Sequence, residues 1–360
     1  MREFSCKTKI ISGEGALSAL GELNIRRLFL VVDPYFVRSG LAARVGALAG
    51  AEAVEIFSEV TPDPSVELAA AGTARLRAFA PDTVVALGGG STMDCAKATV
   101  YFSGEEVRLV AIPTTSGSGS EVTDFAVLTH NGVKHPLVDG KLRPEVAILD
   151  GALLQQLPRN LIADGGFDAL CHAAESFVAT GAGAISDALA EEAFRTVFSA
   201  LGQSFSGRKE LRLRIHEAAT MAGLAFTHSG LGLCHAMAHA LGGVFHVPHG
   251  RLGAILLPAV IECNAHGAAG KYAKLARSAG LGGSADTLGV RNLKNAIVRL
   301  RRELEMPQTL LQAGVNPGEV HRNAKTIVEA TLADPCCKTN PVLVEDFMVR
   351  RILESVTGRV

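Results

Sequence analysis

Asp168 and His172 stand four residues apart in GGFDALCHAAES, and His235, His239 and His249 follow in LGLCHAMAHALGGVFHVPHG. Positions i and i+4 of a helix share one face, so Asp168 converges with His172, and His235 with His239. His249 arrives after a Val-Pro turn. A carboxylate and several imidazoles with no thiolate suit one divalent ion, Fe(II), Zn(II), Mn(II) or Co(II), and ligand type alone does not choose among them. Asp168, His172, His235 and His249 are the expected ligands. Five candidates for about four positions leave one over. His239 is that one, a second imidazole able to move a proton at the site. Taken singly, His216, His228 and His266 read as core residues with a satisfied hydrogen bond. His246 either lines a pocket or closes a turn. Cys171 and Cys234 each precede a proposed ligand, but neighbouring helical residues point about 100° apart, so both read as core.

A different chemistry sits in the first half. Gly88-Gly89-Gly90-Ser91 follows a β-branched run and opens a helical pattern, which places unhindered N–H groups and a helix N-terminus where a phosphate can dock. It is not the GxGxxG fingerprint, and glycine triplets also occur as plain tight turns. A second loop, Pro113-Thr114-Thr115-Ser116-Gly117-Ser118-Gly119-Ser120-Glu121, again follows a strand and is dense in hydroxyls and glycine. Two such loops at the ends of adjacent strands suit a pyrophosphate. Asp33 ends LFLVVD, where a carboxylate accepts hydrogen bonds from a ribose and repels a 2′-phosphate, favouring NAD(H) over NADP(H). The alternative for Asp33 is a simple cap before Pro34.

These residues need elements to position them. Short β-branched runs at 26–33, 53–57, 82–91, 107–115 and 145–150 read as strands, with helical patterns at 65–80 and 91–102 between them. Such alternation predicts a mainly parallel sheet covered by helices, with ligands at the carboxyl ends of the strands. Beyond Leu157-Pro158 the strand signals stop. Helical segments follow at 164–180, 185–202, 210–227, 231–244, 251–266, 285–305 and 343–357. The expected organisation is an α/β NAD-binding domain over 1–157 and an all-α metal-binding, catalytic domain over 158–360.

Composition sets the frame. A chain of 360 residues exceeds what one core usually supports, and 48% hydrophobic content with 20% charged residues implies extensive burial, a subunit interface included. A net charge of -1 gives no attraction to nucleic acid or anionic lipid. The one short basic run, Arg299 to Arg302, reads as the wet face of a helix. Seven cysteines without a paired framework, and an opening MREFSCKTKI with no apolar signal core, predict a cytoplasmic protein with reduced thiols. No run of 18 apolar residues reads as a membrane span.

GGGSTMDCAKA (88–98), AIPTTSGSGSEVT (111–123), FDALCHAAES (167–176) and GLCHAMAHALGGVFHVPHG (232–250) resemble the signature segments of the iron-containing, group III alcohol dehydrogenases. The resemblance runs nearly end to end, and it is greatest to the family's propanol and ethanol dehydrogenases of diol and ethanolamine utilisation. It implies that Asp168, His172, His235 and His249 hold Fe(2+), with Zn(2+) as the alternative, and that His239 and His249 are catalytic, His239 handling the proton. It further implies that Gly89, Gly90, Ser91, Asp94, Thr114, Thr115, Ser118 and Lys134 line the dinucleotide. One departure is Gly253, where members of the family commonly carry asparagine. The activity implied is hydride transfer between NAD(H) and a short-chain primary alcohol or aldehyde, in a homo-oligomer such as a dimer, free in the cytoplasm or with other enzymes of a bacterial microcompartment. The competing readings are a glycerol dehydrogenase-like or dehydroquinate synthase-like enzyme of the same architecture, and a noncatalytic metal-binding scaffold.

Overall fold

The computed structural model describes residues 3–130 and 133–358. Its first half runs β1 (Lys9–Gly13), β2 (Arg27–Val32), α1 (Pro34–Arg38), α2 (Leu41–Ala49), β3 (Ala53–Phe57), α3 (Val66–Phe79), β4 (Thr83–Gly88), α4 (Gly90–Ser103), β5 (Arg108–Pro113), β6 (Phe125–His130), β7 (Val133–Val138) and β8 (Val146–Asp150). Helices follow: α5 (Arg159–Val178), α6 (Ala184–Phe205), α7 (Arg212–Ser229), α8 (Leu233–Phe245), α9 (His249–Ser278), α10 (Asp286–Glu303), α11 (Pro317–Ala333) and α12 (Asp346–Thr357). Two compact units result. One comprises Ser5–Leu157 with Arg212–Gly223, and the other comprises Pro158–Leu211 and the chain from Leu224 onward together with the start of the chain up to Phe4.

The sheet of the first unit has the order β1-β8-β5-β4-β2-β3, and every neighbouring pair is parallel. This is the α/β architecture expected. Each residue of β4 is buried, because helices cover both faces of a central parallel strand and its sequence therefore reads as one apolar run. Val84, Val85 and Leu87 are fully enclosed, each contributing about 1.5–3 kcal/mol of apolar burial. Strand order reverses between β2 and β4, so the carboxyl ends of β2, β4 and β5 lie side by side at the switch point where such sheets take ligands. Edge strand β1 and the antiparallel pair β6–β7 were not foreseen. β1 is exposed or half-buried along its length and carries only a faint apolar signal.

The second unit is helical. Its middle is α9, which lies against α5, α8 and α10 and bends at Ala268, where the backbone leaves helical values. By length and mean hydropathy α9 is apolar enough to cross a membrane, although polar residues leave it no unbroken run of 18 apolar ones; 61% of the relevant window is buried inside the structure, as in a core helix. Pro258 interrupts it. Proline has no N–H, so the Ala254 carbonyl one turn earlier lacks its helical donor. Arg301 of α10 supplies one from Nη1, at 3.0 Å. Arg301 is therefore 7% exposed, and the expectation that 299–302 forms a wet face fails at that residue. α11 was also missed; among its 17 residues only Val320, Ile327, Val328 and Thr331 are buried.

Candidate metal centre and nucleotide loops

Asp168 and His172 lie on one face of α5, and His235 and His239 on one face of α8. His249 is the first residue of α9, placed after Pro248. Gly250 allows this start, because a Cβ there would lie 1.8 Å from the Asp164 carbonyl oxygen of α5. The ligand atoms of Asp168, His172 and His235 fall within 4.8 Å of one another. His249 donates from Nδ1 to Asp168 Oδ1 at 2.7 Å. Its ring centre is 5.1 Å from that of His235 and 5.2 Å from that of His239.

The unspent nitrogens matter most. His172 Nδ1, His235 Nε2 and His249 Nε2 are buried and have no hydrogen-bond partner. Leaving a buried polar atom unpaired costs about 1–3 kcal/mol, so three beside one carboxylate are not satisfied core histidines. The donor set fits one divalent ion. Burial holds His172 down to about 3, and it drives His235 well below the ordinary imidazole range, so both rings stay neutral with a lone pair to give. Burial works to raise the Asp168 carboxyl, but His172, His249 and His235 outweigh it and hold the group far below the usual carboxylate range.

Two acidic residues at this site escaped the sequence reading. Glu175, one turn beyond His172, accepts from His235 Nδ1 at 2.6 Å. Its helical spacing from Asp168 was the available signal. Burial raises its carboxyl to about 7, against the pull of the Cys234, His235 and Gly232 amides. Asp334 holds His239 Nδ1 at 2.8 Å and spends Oδ1 on the Cys336 amide at 2.8 Å. No spacing rule links residues so far apart in the chain. His246 closes α8 with φ 54, so it is the turn residue of the two readings offered for it. Cys171 and Cys234 are buried. A Cβ on Gly253 would lie 2.8 Å from Cys171 Sγ, which leaves no room for asparagine without movement.

In the first unit the glycine-rich loop and the hydroxyl loop meet. A Cβ on Gly89 would lie 3.1 Å from Thr115 Oγ1, and one on Gly90 would lie 3.3 Å from Ser118 Cβ. Gly90 and Ser91 open α4, and buried Thr114 anchors to Gly88 through its amide at 2.9 Å. Asp33 Oδ1 accepts from the Tyr35 amide at 2.7 Å, so at least one of its oxygens caps α1. Asp94 faces inward: it accepts from Ser120 Oγ at 3.0 Å and from the Val127 amide at 3.2 Å. Burial raises its carboxyl. Lys134 pairs with Asp63 at 2.7 Å. Lys97 was missed. It is buried, donates to Ser120, Thr123 and Phe125 within 3.0 Å, and ties α4 to the end of the hydroxyl loop. A lysine inside an apolar helix was its signal.

The start of α7 braces the same loop. His216 Nδ1 lies 2.9 Å from Ser116 Oγ, and Thr220 donates to Glu121 at 2.5 Å. His216 is a core histidine as expected, but only its Nδ1 is satisfied; its Nε2 is buried and has no hydrogen-bond partner.

A parallel α/β unit with two phosphate-suited loops and a helical unit with a carboxylate and imidazole cluster define the class, a metal-dependent oxidoreductase. Residues 7–151 match the iron-containing alcohol dehydrogenase family, and residues 162–357 match the C-terminal part of the Fe-containing alcohol dehydrogenase family. The 1-propanol dehydrogenase PduQ of Citrobacter freundii is 38% identical, with 99% of this chain and 100% of that protein covered. The NADPH-dependent butanol dehydrogenase of Clostridium saccharobutylicum is 36% identical, with 99% and 98% covered. The solved iron-containing alcohol dehydrogenase from Thermococcus thioreducens has a TM-score of 0.91 at 33% identity, covering 98% of this chain and 99% of that one. The chain belongs to the iron-containing alcohol dehydrogenase family.

Proposed function

We propose that this chain transfers a hydride between NAD(H) and a short-chain primary alcohol or aldehyde, such as ethanol and acetaldehyde or 1-propanol and propanal. Residues 1–157 bind the dinucleotide, and 158–360 carry the metal and the substrate chemistry. Asp168, His172, His235 and His249 hold Fe(2+). The observation that carries this is the set of three buried ring nitrogens with no hydrogen-bond partner beside the Asp168 carboxylate. When bound, the divalent ion supplies Lewis acidity toward the substrate oxygen, and the nicotinamide supplies or accepts the hydride.

The residues do the rest. Asp168 stays ionised and partly offsets the charge of the ion, leaving positive character at the site. His172 and His235 stay neutral because burial disfavours their protonated forms. His239, held at Nδ1 by Asp334, moves a proton at Nε2. Backbone N–H groups from Gly89 to Ser91 and the hydroxyls of Thr114, Thr115 and Ser118 bind the pyrophosphate, with the start of α4 adding its dipole. Asp94 and Lys134 complete the lining of the dinucleotide site, and Asp33 meets the adenosine ribose.

Metal analysis with steady-state kinetics tests the assignment. His249→Ala is expected to lose bound metal and activity together. His239→Ala is expected to keep the metal while losing about 100- to 10,000-fold in rate and changing its pH profile. Full activity with retained metal in His249→Ala would refute the ligand set. A panel of C2 to C4 aldehydes with NADH and NADPH tests the cofactor, and a preference for NADPH would overturn the role given to Asp33.

A further inference from the structure

Beneath the proposed ligands lies a carboxylate with four protein donors. Glu175 is 2% exposed. Its Oε2 accepts from His235 Nδ1 at 2.6 Å, from the His235 amide at 3.1 Å and from the Gly232 amide at 3.1 Å; Oε1 accepts from the Cys234 amide at 2.7 Å. The remaining amide of that turn, Leu233, goes to Asn340 Oδ1 at 3.1 Å. The first N–H groups of α8, which no helical carbonyl can satisfy, are thus taken up by two side chains. Gly232 makes the approach possible, since a Cβ there would lie 2.9 Å from Glu175 Oε1. On the far side of the His235 ring, Nε2 is buried and unpartnered.

We propose that Glu175 is the positioning residue of the metal centre. It locks the His235 ring with the proton on Nδ1 and the lone pair of Nε2 directed at the cation, while fixing the first turn of α8 that carries His235. The inference rests on the ligand reading above. An imidazole whose other nitrogen donates to a carboxylate is held in one tautomer and one orientation and is a stronger donor to a metal. The helix start favours the anion as well. Asn340 shares the helix-capping work through Leu233 but makes no hydrogen bond to His235, so the two residues separate a structural role from a positioning one.

Co(II) or Zn(II) affinity, measured by competition with a chromophoric chelator on the full chain, is the test. The wild type and Glu175→Gln, Glu175→Asp, Asn340→Ala and His249→Ala are compared. Glu175→Gln is expected to lose affinity by about 10- to 100-fold, with Asn340→Ala within about threefold of wild type and His249→Ala losing more than either. Imidazole ¹⁵N spectra of the metal-free protein are expected to report the Nδ1-protonated tautomer at His235 in wild type and its loss in Glu175→Gln. Should Glu175→Gln not fold, Glu175→Asp carries the test, because the shortened carboxylate cannot keep both the ring and the amides and is expected to lower affinity in the same direction. Wild-type affinity in a folded Glu175 variant, or an equal loss in Asn340→Ala, overturns the positioning role while leaving the ligand set standing. Unchanged affinity in His249→Ala overturns the ligand reading, and this inference with it.

Discussion

His216 is 1% exposed, and burial drives its ring down to about 4. An unfolded histidine titrates at about 6.5. Between those values the unfolded chain takes up a proton that the folded chain refuses, so stability is full above the upper value and falls as pH drops toward the lower. The difference amounts to about 3 kcal/mol. His216→Asn is expected to flatten this part of the profile, read as urea midpoints at pH 7 and pH 4.5 in both proteins; parallel slopes would show that His216 does not carry it. Single residues were unevenly legible. Asp168, His172, His235 and His239 were found because helical periodicity puts them on shared faces. Glu175 obeys the same periodicity, yet a glutamate in a helix ordinarily reads as a solvated charge, and only its burial reveals otherwise. Asp334 meets His239 through tertiary folding alone, which no local pattern encodes.

At the scale of elements, Pro258 and Arg301 form one unit across two helices. Removing the guanidinium in Arg301→Leu leaves the Ala254 carbonyl unpaired inside the second unit and is expected to cost about 1–3 kcal/mol. Pro258→Ala restores the missing helical N–H, so the same arginine substitution made in that background is expected to cost less. A double-mutant cycle by denaturant unfolding reads the coupling directly, and strict additivity would refute the account. Neither half of this pair announces itself: Arg301 hides in a basic run, and Pro258 lies on a different helix. The central strands were legible because burial on both faces makes them uniformly apolar. β1, β6 and β7 were not, since strands at an edge or in an isolated pair need only partial apolar character. α11 escaped for a related reason, burying too narrow a stripe to stand out among polar neighbours.

For the whole molecule, the ligand cluster couples metal to stability. An ion that binds only the folded chain raises its stability by about 2.7 kcal/mol when free metal stands at 100 times the dissociation constant. Chelation is expected to lower the thermal midpoint of wild type in calorimetry and to leave that of His249→Ala unmoved; an equal shift in both would count against the cluster. The segment Arg212–Gly223 has a different consequence. A gene fragment ending at Leu157 would encode all eight described strands and still lack His216 and Thr220, the side chains that brace Ser116 and Glu121. Recombination that exchanged the first half of this chain for another nucleotide-binding half would therefore inherit a mismatched brace. Descendants of such an event would keep their cofactor loop in shape only if those twelve later residues travelled with it or were remade to fit.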